Sequence, residues 1–221
     1  MSGHHQRRAA AGGGGAVPFS YAFREMVSSS ADRSTYTFTS ADIGSTTAPH
    51  HVAVSVGAKS TSGTATISSV TVDGQACSAL VTGTDSSSIS TVWITDAEIT
   101  STTGDVVISG NGKARLGAAM YEIHGLESTT AIDTGTAGGF SLSDTLTCTD
   151  DSVVIGTSFV GTNNASNWTA TAGVTEEYDA DIDTGRRFGG GSDLATGSSV
   201  SVAFGWNSNS QTSHAAVTLG N

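Results

Sequence analysis

The chain is poor in what helices are made of. Only 13% of its 221 residues are charged, so the Glu, Lys and Arg that clothe helix surfaces are mostly missing, and no long amphipathic helix pattern occurs. Cations are scarcest: nine Lys or Arg stand against twenty Asp or Glu, a formal net charge of −11. A nucleic-acid surface needs clustered positive charge, so the body is not expected to bind one. Three of the nine, Arg7, Arg8 and Arg24, lie near the N-terminus, where they could still meet an acidic partner. The two cysteines, Cys77 and Cys148, come without CxxC or His-x-x-x-His spacing, so a structural zinc site is not expected. They read as inert core thiols, with a Cys77–Cys148 bridge as the alternative. No apolar run approaches the ~18 residues of a membrane span. Arg7 and Arg8 precede an Ala/Gly stretch too short and Gly-broken to be an export signal. The sequons at Asn164 and Asn167 therefore carry no weight.

What remains is Ser, Thr, Gly and β-branched residues in period-two alternation. Tyr36 and Phe38, then Val52, Val54 and Val56, alternate with small or polar residues as half-buried strands do. Further strands are predicted over residues 67–72, 75–81, 89–95, 105–109, 114–123, 140–148, 153–160, 168–178, 186–188, 200–206 and 215–219. Asp73-Gly74 and Asn111-Gly112 each read as a two-residue hairpin turn. About a dozen short strands point to an all-β, antiparallel β-sandwich of jelly-roll type. An echo suggests internal duplication. The unit GDVVISGNGKARLGAAMYEIHGL at 104–126 parallels 197–220, and the run from His51 to Val56 parallels that from Ser152 to Thr157. The expected halves are 34–126 and 140–221, joined by a polar connector at 125–139.

Residues 1–30 are expected to be an arm and docking segment ahead of a 31–221 sandwich domain. Gly12 to Gly15 cannot hold regular structure cheaply. After them Phe19, Tyr21 and Phe23 alternate, followed by Met26. Two roles are open for these side chains: covering an open end of the core, or plugging into a neighbouring subunit. On the second, Arg7, Arg8, Phe19, Tyr21, Phe23 and Met26 dock the chain to a partner, and a body without residues 1–27 still folds.

Chemistry-bearing patterns are few. Glu177, Asp179, Asp181 and Asp183 would share one strand face, a like-charged row needing either a Ca²⁺ ion or Arg186 and Arg187 folded across it. Trp168, in a polar stretch, is the best candidate for stacking on a sugar ring, whereas Trp93 and Trp206 belong in the core. Asp96 with Glu98, and Asp150 with Asp151, could be drawn as glycosidase pairs but read as surface carboxylates. Ser158 is not in a Gly-x-Ser-x-Gly elbow. His4, His5, His50, His51, His124 and His214 show no ligand spacing, and His50-His51 simply precede a strand. No cofactor is expected beyond the Ca²⁺ alternative, and no enzymatic activity.

The run from Tyr36 to Leu126, TYTFTSADIGSTTAPHHVAVSVGAKSTSGTATISSVTVDGQA followed by a Gly-Asp-Val-Val strand and GAAMYEIHGL, resembles small β-sandwich structural proteins of tailed, especially marine, bacteriophages. The likeness lies in strand pattern and turn placement. It implies a virion component: a tail-tip or tail-fibre protein, or alternatively a capsid decoration protein. The implied partners are other virion proteins, met through the N-terminal arm, and further copies of the chain, with a trimer favoured. A glycan-binding module facing a host surface is the remaining alternative.

Overall fold

The computed structural model describes residues 17–161, 167–183, 185–206 and 212–221, plus the backbone of Gln6–Arg7; at 113–114 it describes backbone alone. Every regular element among them is a strand. The first half holds β1 (Gln6–Arg7), β2 (Ser20–Ser29), β3 (Arg33–Asp42), β4 (His51–Ser60), β5 (Ile67–Val72), β6 (Gln75–Asp85), β7 (Ser88–Thr95) and β8 (Thr103–His124). The second holds β9 (Asp133–Gly138), β10 (Ser141–Thr147), β11 (Ser152–Val160), β12 (Trp168–Ala172), β13 (Thr175–Asp183), β14 (Arg186–Ala195), β15 (Ser199–Trp206) and β16 (Thr212–Gly220).

All pairings are antiparallel, and the two halves repeat one strand order. In the first, β2-β8-β4-β7-β6 form one layer, while β3 and β5 flank the early part of β8 in the other. In the second, β9-β16-β11-β14-β13 form one layer and β10-β15-β12 the other. The long β8 thus does the work of both β15 and β16. Numbered within each half, the wide layer runs 1-8-3-6-5 and the narrow layer 2-7-4, a jelly-roll winding. The first half is joined along one side, because β5 also pairs β6 at Thr71 and Val72.

Three apolar layers hold the stack. Val52, Val54, Trp93, Val106, Ile108 and Met120 fill the first sandwich. Leu142, Val154, Trp168, Phe204 and Trp206 fill the second. Between the two wide layers lie Tyr21, Val92, Tyr121, Ile155, Phe188 and Val217. Each wide layer is therefore apolar on both faces, which is why β4, β7, β11 and β16 are buried almost throughout rather than alternating.

Four expectations need correction. Asn111-Gly112 is not a hairpin: neither residue has a positive φ, and β8 runs straight through them from one layer to the other. Asn111 instead ties the crossing to the 60–66 loop, receiving from Thr66 N at 2.9 Å and donating to Thr64 O at 2.7 Å. The Asp73-Gly74 turn is as expected, with φ of 49° and 79° linking β5 to β6. Second, the echoed residues are out of phase. Ala118 faces the first sandwich interior but its counterpart Ala215 faces the inter-sandwich layer, and Val52 and Val153 differ likewise. A one-residue slip turns every side chain over, so the repeat lies in the winding rather than in the aligned letters. Third, residues 125–139 contain β9, and the second half begins there. Fourth, a boundary at 30 cuts β2 from its sheet: β2 pairs β8 from Ser20 to Ser29.

Candidate functional site

Of the expected docking residues, the four apolar ones are occupied within the chain. Phe19 and Tyr21 are buried in the inter-sandwich layer. Phe23 and Met26 pack against it, the Phe23 ring lying 5.6 Å from Tyr121 and 5.8 Å from Tyr178. They cover the core, the first of the two roles open to them. Arg7 is described only as backbone in β1, and Arg8 lies outside the described residues. Trp168 is 1% exposed and packs on Phe204, so it presents no face to a sugar. Cys77 and Cys148 are free thiols, and burial pushes Cys77 up to about 12.

The acidic row is neutralised rather than convergent. Arg187 lies 2.9 Å from Asp179 and 3.6 Å from Asp181, and Arg186 and Arg115 both reach Asp183. Asp179 also accepts from Trp168 N at 3.0 Å. A bulge between Glu176 and Tyr178 breaks the alternation, so Glu177 leaves the row. It turns inward to accept from Ser192 Oγ at 2.9 Å. Burial raises its pKa to about 7, against the opposing pull of the Ser192 and Tyr121 hydroxyls. Arg186 and Arg187 thus fold across the row, the alternative to a Ca²⁺ ion. Asp96, Glu98, Asp150 and Asp151 are exposed, with Asp150 accepting from Gly197 N at the end of a turn.

Ser158 and His214 do meet: Ser158 Oγ lies 2.9 Å from His214 Nδ1, and His214 Nε2 lies 3.1 Å from Gly139 O. Trp206 Nε1 donates to the same Oγ. Both residues are fully buried, so no carbonyl can reach the hydroxyl, and the contact is structural. Desolvation holds His214 at about 4, which suits a neutral ring that donates from Nε2 and accepts at Nδ1.

A different cluster gathers at one end of the first sandwich. Glu122 and His124 are two apart on β8 and so share its inward face with Met120. Ile123 pairs His51, and the next step along that register brings His50 beside His124, with ring centroids 5.3 Å apart. One nitrogen of each imidazole and one Glu122 oxygen lie within 4.8 Å of one another. His50 and Glu122 are buried and His124 is half-buried. Glu122 Oε2 accepts from Ser45 Oγ at 2.8 Å and Ser45 N at 3.0 Å, with Arg24 at 3.9 Å. Glu122 Oε1 faces His124 Nε2 at 2.8 Å. Burial alone would raise the Glu122 pKa; its contacts with His124 and Ser45 outweigh it and hold it at about 2. The sequence reading missed this cluster because no short spacing links its members. The signal was Glu-x-His on an otherwise apolar strand, with a histidine opening the strand beside it.

No family model, curated protein or solved structure matches the chain.

Proposed function

We propose that the chain is a non-enzymatic structural protein of a tailed-bacteriophage particle, a tail-tip or tail-fibre component held through its N-terminal segment. The observation that carries this reading is the pairing of β1 with β2. Gln6 and Arg7 add to the outer edge of β2 opposite Tyr21 and Ser20. Beyond that point, from Ala22 to Ser29, the same edge has no strand partner among the described residues. Such an edge accepts a further strand through main-chain hydrogen bonds, which suits repeated attachment of identical subunits. The strand-pattern resemblance supplies the setting, and jelly-roll sandwiches recur in viral coat and lectin domains, an argument by fold analogy. A homo-oligomer, three copies by the same analogy, presents its edges to virion neighbours. The glycan reading loses its aromatic residue, because Trp168 is buried.

Immunogold labelling of intact particles with an antibody to this chain tests the reading. Label at the tail tip or fibres is the expected result. Label over the head shell would move the chain to capsid decoration, and unlabelled particles would reject a virion role.

A further inference from the structure

Two imidazoles at the rim of the first sandwich each face two acceptors. His50 Nδ1 lies 2.8 Å from Ala48 O, and His124 Nδ1 lies 3.1 Å from Pro49 O. Carbonyl oxygens only accept, so each Nδ1 carries the proton. A neutral ring then has a lone pair at Nε2. Yet His50 Nε2 lies 3.2 Å from Ile43 O and His124 Nε2 lies 2.8 Å from Glu122 Oε1, both acceptors as well. Lone pair against lone pair is repulsive unless a proton or a metal cation lies between them. Protonating His124 alone pairs it with Glu122 but leaves the fully buried His50 Nε2 against Ile43 O, and protonating both rings places two positive charges side by side. A single divalent ion answers both contacts at once.

We propose that His50 and His124, through Nε2, and Glu122, through Oε1, form a site for one divalent transition-metal ion of the zinc class. Two imidazoles and a carboxylate are a donor set that such ions favour. Donation of the far ring nitrogen to a backbone carbonyl is the usual way a ligating histidine is oriented, and both rings have it. Ser45 and Arg24 hold the other Glu122 oxygen, while Oε1, which shares the Ser45 N–H at 3.0 Å, is turned toward the rings. Donors about 2.1 Å from a tetrahedral ion stand roughly 3.4 Å apart, so small side-chain shifts close the set. The fold does not demand these residues. At the corresponding end of β16, the positions facing the second sandwich are Thr218 and Gly220, neither of them charged. The ion would tie the loop bearing Ser45, Ala48 and Pro49 to β8.

The test uses the full chain, stripped with a chelator and titrated with Zn²⁺. Expected are one ion per chain by elemental analysis and a melting temperature that climbs with Zn²⁺ concentration. Long-range nitrogen NMR should show His50 and His124 protonated at Nδ1 and metal-bound at Nε2. The His50→Asn/His124→Asn variant keeps a donor near each Nδ1 position but has no Nε2, and it should lose the Zn²⁺-dependent rise. A rise that persists in that variant and vanishes in His4→Ala/His5→Ala would place the ion on the N-terminal histidines and overturn the proposal. So would wild-type protein whose melting temperature ignores Zn²⁺, whatever the protonation of the two rings.

Discussion

Phe188 occupies the space above Gly117, so that a Cβ on the glycine would lie 2.5 Å from the ring. Gly57 stands opposite Gly117 in the β4–β8 ladder, and its Cβ would also lie 2.5 Å from that ring. The two glycines make a window in the first sandwich, and an aromatic residue of the second is seated in it. Gly117→Ala should therefore cost roughly 1–3 kcal/mol by overpacking. Phe188→Ala should cost roughly 3–5 kcal/mol through the cavity it leaves. In the Phe188→Ala background the added methyl has room, so Gly117→Ala should cost less there than in wild type. Urea unfolding of the four proteins measures this coupling. Equal costs in both backgrounds would mean that Phe188 is not the obstacle.

Taken by itself, His214 should make acid weaken the fold. Its folded pKa of about 4 lies below the ordinary 6.5 because burial disfavours the charged ring. Between those values the unfolded chain binds more protons than the folded one, so stability falls as pH drops. The loss amounts to up to about 3 kcal/mol by pH 4. In a Glu177→Gln background, His214→Gln should remove that acid slope in chemical denaturation followed from pH 7 to pH 4. An unchanged slope would mean that His214 is not the titrating group.

Glu177 works in the opposite sense over nearly the same window. Its folded pKa of about 7 exceeds the ordinary 4.5, so here the folded state holds the extra proton and stability falls as pH rises. The two slopes should largely cancel in the wild-type protein between pH 4.5 and 6.5. Glu177→Gln should then expose the His214 slope, with stability dropping toward acid, and His214→Gln should expose the Glu177 slope, with stability dropping toward pH 7. Variants that keep the flat wild-type profile would show that neither group is shifted as described.

The all-β class was legible because alternation is local: Val52, Val54 and Val56 announce their strand without help from the rest of the chain. Pairing was less so. Asn111-Gly112 carries the local signature of a turn, but β3 and β5 take one part of β8 and β2 and β4 the other, so no partner remains for a hairpin. β9 was invisible because DTGTAG offers no large apolar side chain. Glu177 was placed on the wrong face because a bulge leaves no mark in composition. The His50, Glu122 and His124 cluster depends on the register between β4 and β8, which a single sequence does not state.

How far the N-terminus can be cut separates attachment from folding. Residues 1–16 precede the first buried side chains, and the pairing they make among the described residues is that of Gln6 and Arg7 with β2. A chain starting at Val17 should keep its cooperative unfolding transition, yet fail to join particles if the segment is the attachment device. A chain starting at Ser28 lacks Phe19, Tyr21, Phe23 and Met26, and with them most of β2. It leaves Tyr121 and Tyr178 without the Phe23 ring and strips one side of β8 of its partner. Losing two buried aromatics alone costs roughly 6–10 kcal/mol, comparable to the whole stability of a typical domain. The shorter chain should therefore fail to fold, whatever its role at the particle. Urea transitions of both truncations, read beside their incorporation into particles, distinguish the two effects. A cooperative, wild-type transition from the chain starting at Ser28 would show that β2 is dispensable and return Phe19 to Met26 to the surface.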